Sequence, residues 1–165
     1  MSQLQNRDLL DALLDAWDRN NVITVNLLRA IPEDALEIRP MEGSPSISEL
    51  FAHLHFVRLV FVRKDAPEVA RPLPPGQWVV ERDRDRMAQM LDDSAAAVRD
   101  AVTSRLASGR PMDVHYDHPI LMLQHLIWHD GYHHGQVKLA LKMAGRAFDD
   151  EEIGPLTWGI WMQKA

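Results

Sequence analysis

Helix breakers in this chain are bunched, and the bunching dictates what it can fold into. Three prolines and a glycine interrupt residues 31–46, "PEVARPLPPGQW" interrupts 67–78, "SGRP" follows at 108–111 and Gly145 stands alone further on. Between the breaks, apolar residues recur at threes and fours, the period of a helix with one buried face. No stretch alternates as a half-buried strand does. Proline inside a helix removes a backbone hydrogen bond and clashes with the preceding turn, so four helical segments remain.

The first covers residues 4–30, with Leu9, Leu10, Leu13, Leu14, Trp17, Val22, Val25, Leu27 and Leu28 facing a core. The second opens at Ser46, whose hydroxyl can cap it, and Glu49 three residues later completes a capping box. Its seam is Ile47, Leu50, Leu54, Val57 and Phe61. A third runs from about Asp83 to Leu106 with Met87, Met90, Leu91, Ser94, Val98, Ala101, Val102 and Leu106 inward. Asp117 as cap and Pro119 in the first turn begin a fourth, which ends near Ala144 and Gly145. The spacing therefore predicts an all-α four-helix bundle with a long connection between helices two and three, and 165 residues suit one domain. The remaining "PLTWGIWM" tail, with Trp158 and Trp161, should pack onto the bundle or onto a second subunit.

Charge and composition exclude several classes. Lys and Arg number 18 against 24 Asp and Glu, a net of −6, without a basic block, so a nucleic-acid surface is not expected. No run reaches the eighteen or so apolar residues that a membrane span needs, and "MSQLQNRDLLDALLDAW" has no basic start followed by an apolar stretch. A cytoplasmic protein is expected. The absence of cysteine removes disulfides, thiolate metal sites and a cysteine nucleophile.

Against this plain background the fourth segment carries "HDGYHHGQ" at 129–136. At about 100° per residue, with His129 at zero, His125 falls near −40°, His133 near +40° and Gln136 near −20°, and His118, Met122 and Ala140 lie on the same side. His134 lies about 140° away, toward solvent or a neighbouring helix. One buried histidine is ordinarily satisfied by backbone or water. Several stacked imidazoles each need a partner, and one divalent cation satisfies two or three of them together. The i, i+4 pair His129 and His133 has the spacing that directs two ring nitrogens at one metal. A third ligand must come from another helix, and "SELFAHLHFVR" offers His53 and His55. Angle alone does not choose between them; His53 shares its flank with Leu50, Val57 and Val60, His55 with Ser48 and Arg58, which favours His53 inward and His55 at the surface or boundary.

With these residues in view, the chain resembles the DinB/YfiT-like metalloprotein superfamily, through "SISELFAHLHFVR" (46–58) and "LMLQHLIWHDGYHHGQVKLALKMAG" (121–145), the latter similar to an "HxxYHRGQ" signature. His134 stands where that signature often has arginine. The resemblance implies an up-down-down-up bundle, His53, His129 and His133 as ligands of a divalent metal, close packing at Gly135, Gln136 near the pocket, and a homodimer. It also implies either S-transfer or isomerisation with a low-molecular-weight thiol, or no known reaction.

Three neutral nitrogen ligands leave a cation its charge and an open position, which prepares a water or thiol nucleophile; zinc or nickel suits imidazole. Without cysteine, any thiol must be an external small molecule. Glu49, one turn before His53, is a candidate base as well as a cap, and Gln136 is the other candidate catalytic residue; Asp130 should be a solvated charge. The expected function is a metal-dependent hydrolase or thiol S-transferase acting on a small molecule. A non-enzymatic metal or ligand sequestering protein is the alternative, and a structural dimer with a histidine hydrogen-bond network is the third reading.

Overall fold

The computed structural model describes residues 3–164, and every regular element among them is helical. Four long helices, α1 (Gln3–Ala30), α2 (Ile47–Asp65), α3 (Arg84–Ser108) and α4 (Pro119–Met143), are followed by the single turn α5 (Asp150–Ile153). Short 3-10 turns occupy Glu33–Ala35, Pro67–Val69 and Trp158–Met162. No helix among the described residues is long and apolar enough to cross a membrane.

The ends of the helices are where the local chemistry puts them. Ser46 Oγ accepts from Glu49 N and the Glu49 carboxylate accepts from Ser46 N, the reciprocal pair that satisfies two orphan donors of α2. Asp83 caps α3 by accepting from the amides of Asp85 and Arg86. Gly109 closes α3 at φ 64°, a left-handed conformation that favours glycine. The cap of α4 is His118 and not Asp117: its Nδ1 accepts from Ile120 N at 3.2 Å, with Pro119 as first helical residue. A neutral imidazole nitrogen can take the place of a carboxylate here, so His118 is exposed at the helix end and does not join the inward column.

Two apolar clusters fill the interior. One joins Val25, Leu27 and Leu28 of α1 to Ile47, Leu50, Phe51 and Leu54 of α2, Met87, Ala88 and Leu91 of α3 and Val137, Ala140 and Leu141 of α4. The other joins Leu14 and Trp17, Leu59 and Val62, Ala95, Ala97, Val98, Ala101 and Val102, and Met122, Leu123 and Leu126. Along every helix a polar stretch separates the two: Asn20, Asn21 and Thr24 on α1, His55 and Arg58 on α2, Ser94 on α3, Asp130 and His133 on α4, all buried. This layer accounts for the errors of periodicity on α1. Leu9 and Val22 are exposed, and Asn20, Asn21 and Thr24 take inward places beside Ile23.

The C-terminal segment lies on α1. Arg19 Nη1 donates to Ile160 O at 2.6 Å and Gln163 O at 2.9 Å, Asn26 donates to Leu156 O, and Ile153 reaches the first cluster. Trp158 and Trp161 remain half exposed.

Candidate metal centre

Helix α2 carries His53 and α4 carries His129 and His133 to one place at the level of the polar layer, where one ring nitrogen from each lies within 4.8 Å of the others. The Nε2 atoms of His129 and His133 are 3.2 Å apart. His133 Nδ1 is 2.7 Å from Gln136 Oε1, which can only accept, so Nδ1 carries the proton and Nε2 turns a lone pair inward.

His129 sits against Asp130. Its Nδ1 is 3.9 Å from Asp130 Oδ1, and both atoms are buried with no hydrogen-bond partner among the described residues. If Nδ1 carries the proton, both orphans face a suitable partner, and Nε2 presents its lone pair to that of His133. Two nitrogens on one tetrahedral cation at about 2.0–2.1 Å stand about 3.3 Å apart, a separation that the observed 3.2 Å suits. His53 Nδ1 is likewise buried and without a partner among the described residues. The donor set fits a divalent metal: the three-histidine group could hold one, and neutral imidazoles are what coordination needs.

The surroundings keep the imidazoles of His53 and His133 neutral. Burial, reinforced by the neighbouring His133 and His129, pulls His53 down to about 4. Burial also lowers His133, outweighing the opposing effect of its hydrogen bond to Gln136. The indole of Trp78 stacks on His53 with ring centroids 4.5 Å apart and planes at 12°.

Asp130 is fully buried and is no solvated charge. Its Oδ2 accepts from Arg58 Nη2 and Asn20 Nδ2, each at 2.6 Å. Arg58, itself without exposure, donates through Nη1 to Asn21 Oδ1 and Leu91 O and lies 4.9 Å from the Trp17 ring. Burial alone would raise the Asp130 carboxyl; the Arg58 guanidinium, with His129 adding, overturns that and holds it below its usual range. Asp130 therefore remains a carboxylate, with one oxygen tied down and the other aimed at His129.

Of the other expected residues, His55 is buried and not at the surface or boundary. It donates from Nδ1 to Met90 O at 2.6 Å, away from the triad. The charge on Arg58 does not mark an outward flank, because Asp130 and Asn21 meet it inside. Glu49 is engaged as a cap and pairs with Arg39 at 2.7 Å; its hydrogen bond from Ser46, against an opposing effect of burial and together with Arg39, keeps its carboxyl low. Gln136 stands beside the site, on His133. His125 shares the face of α4 but bonds to Tyr116 Oη at 2.7 Å, its ring 6.4 Å from that of His129. His134 turns to α1 and bonds to Thr24 Oγ1. Tyr132 meets His133 edge-on but is largely exposed.

Sequence reasoning missed Trp78, Arg58, Asp130 and Tyr116. Asp130 carried a signal, an acid directly after a candidate ligand, and the rule that charges face water obscured it. Trp78 follows a proline-rich connector with no period, so nothing local pointed it at His53.

The sequence pattern of the DinB family matches residues 1–150 of this chain. Among solved structures, the chain is similar to a protein of Exiguobacterium sibiricum 255-15 whose crystal structure is described as that of "a putative member of the DinB family". The two share 21% identity and a TM-score of 0.55, over 83% of this chain and 95% of the other, a likeness that carries the fold alone. No curated protein matches the chain.

Proposed function

The chain belongs to the DinB family, and on that premise we propose that it is a metal-dependent enzyme acting on a small molecule, a hydrolase or a thiol S-transferase, with His53, His129 and His133 holding one zinc or nickel ion. The observation that carries the reading is the convergence of three largely sequestered imidazoles with two Nε2 atoms 3.2 Å apart. When bound, such a cation supplies Lewis acidity that brings the ionisation of water or a thiol toward neutral pH.

The protein's own residues prepare the site. Gln136 fixes the tautomer and tilt of His133. Asp130, anchored by Arg58 and Asn20, offers Oδ1 to His129 Nδ1, the arrangement by which a carboxylate orients a ligating imidazole and strengthens it as a donor. The burial that disfavours protonation of His53 and His133 keeps their lone pairs available. A thiol, if used, comes from solution, because the chain has no cysteine.

Around this site we place one domain over residues 1–165, cytoplasmic and without nucleic-acid or membrane partners, folded as an up-down-down-up bundle. The order is supported by the first apolar cluster, which joins the last turns of α1 and α4 to the first turns of α2 and α3. Exposed Trp158 and Trp161, on the segment that lies along α1, support a homodimer. A sequestering role without turnover is the second reading. It is favoured by the engagement elsewhere of Glu49, in its cap, and of His125, with Tyr116.

Elemental analysis of untagged protein tests the site. About one zinc or nickel per chain is expected, absent from His53→Ala and His129→Ala, with a melting temperature that falls on adding chelator. Metal-free protein that zinc and nickel fail to stabilise would sink the proposal. Turnover of ester or thiol-acceptor substrates by the loaded protein separates enzyme from sequestering protein.

A further inference from the structure

Next to the triad, between the loop after α1, the connector and the last turns of α4, lies a cavity of about 320 Å³. It is bounded by His133 on one side and by Trp78, the residue stacked on His53, on another. Its volume is at the small end of the roughly 300–1,000 Å³ usual for small-molecule sites. The lining includes no Asp, Glu, Lys or Arg. Met41, Trp78, Tyr132, Leu139 and Met143 form walls that are apolar or aromatic, and all five are exposed. Gln136 is the notable polar group: its Oε1 is taken by His133, which leaves its amide N–H groups to donate.

We propose that this cavity binds the uncharged aryl body of a small molecule whose polar head lies against the histidine triad. The proposal rests on the metal reading for the head alone. Two aromatic walls and two polarizable thioethers suit a flat ring, through stacking and sulfur–aromatic contacts. A carboxylate or ammonium on that body would lose its hydration against a lining without a charged side chain to meet it. A zwitterionic thiol such as glutathione therefore does not occupy this cavity; the molecule that does is the apolar substrate. A second copy of the chain laid over α4 is the rival occupant. The recess beside His133 and the stacked Trp78 favours a small molecule, since it lies next to the only part of the pocket able to react.

The test follows the methyl NMR signals of Met41 and Met143, assigned by Met→Leu variants, in protein with and without zinc. The probes are toluene (ring only), benzyl mercaptan (ring and metal-binding head) and glutathione (head on a charged body). Toluene is expected to shift both methyls with or without zinc. Benzyl mercaptan should bind at least tenfold more tightly than toluene only when zinc is present, and glutathione should leave both methyls unmoved. Leu139 is 53% exposed, so Leu139→Glu should fold and keep its zinc while weakening toluene by about tenfold. Zinc-loaded protein whose methyls ignore toluene, or respond equally to glutathione, would overturn the proposal. So would shifts that follow protein concentration without any probe, the mark of a second copy. Toluene binding by protein that takes up no zinc would support the cavity and overturn only the metal reading.

Discussion

Asp130 is the side chain on which the interior polar groups converge. It neutralises a guanidinium with no access to water and it faces His129. Removing it leaves Arg58 charged and unpaired, and Asp130→Ala should cost about 3–5 kcal/mol in urea unfolding, the range for breaking a buried pair from one side. Replacing Arg58 by Met in the same chain should return much of that loss, because the uncompensated charge is gone. If the double variant is as unstable as the single, the ion pair is not what the cost reflects. His134 allows a test by pH. Burial holds it at about 4, against an ordinary 6.5. Thr24 Oγ1 donates to Asn20 O, so the neutral His134 ring donates from Nε2 to Thr24. The unfolded chain binds a proton below about 6.5 and the folded one does not. Its contribution to stability is thus complete above 6.5 and is lost as pH falls toward 4. His134→Gln, which can still donate to Thr24, should lose less melting temperature over that interval in chelator than the wild type. Parallel curves would remove His134 as the cause.

At the scale of the element, α2 shows how one residue can be read for two roles. Glu49 is one turn from His53, yet its carboxylate is held by Ser46 N and Arg39. Glu49→Gln preserves the box and should leave metal content and turnover unchanged. Ser46→Ala removes the cap and should cost about 1 kcal/mol, within the 0.5–2 range for such caps, by thermal or urea unfolding. Loss of turnover in Glu49→Gln with the fold intact would restore Glu49 as a base. The boundaries of α2 and α3 were legible because capping and glycine chemistry are local. The start of α4 was legible only to within one residue, since Asp117 and His118 both offer an acceptor ahead of Pro119.

At the scale of the molecule, the two apolar clusters are joined by the polar layer that carries the triad. Leu126 is fully buried in the second cluster, and Leu126→Ala should cost about 2–5 kcal/mol as a cavity opens. That loss should show as one transition, coincident by circular dichroism and tryptophan fluorescence, because Arg58 and Asp130 tie the layer across α1, α2, α3 and α4. Two separated transitions would mean that the clusters unfold independently. Saturating metal at about a hundred times its dissociation constant should recover roughly 2.7 kcal/mol.

The sequence by itself determined the helical segments, from clustered prolines and a period of threes and fours, and the face of α4 on which His129, His133 and Gln136 stand, from the 100° turn of one helix. Those are properties of a chain and its own axis. Only the tertiary structure decided which other faces are covered. A helix packed on several sides has no single inward direction, and α2 packs on both α3 and α4. His55 and Arg58 could therefore go inside once Met90 O, Asn21 and Asp130 were there to meet them, as could Asp130 itself. Trp78 reached His53 because an irregular connector takes its course from the surface it crosses, which no period in the sequence encodes.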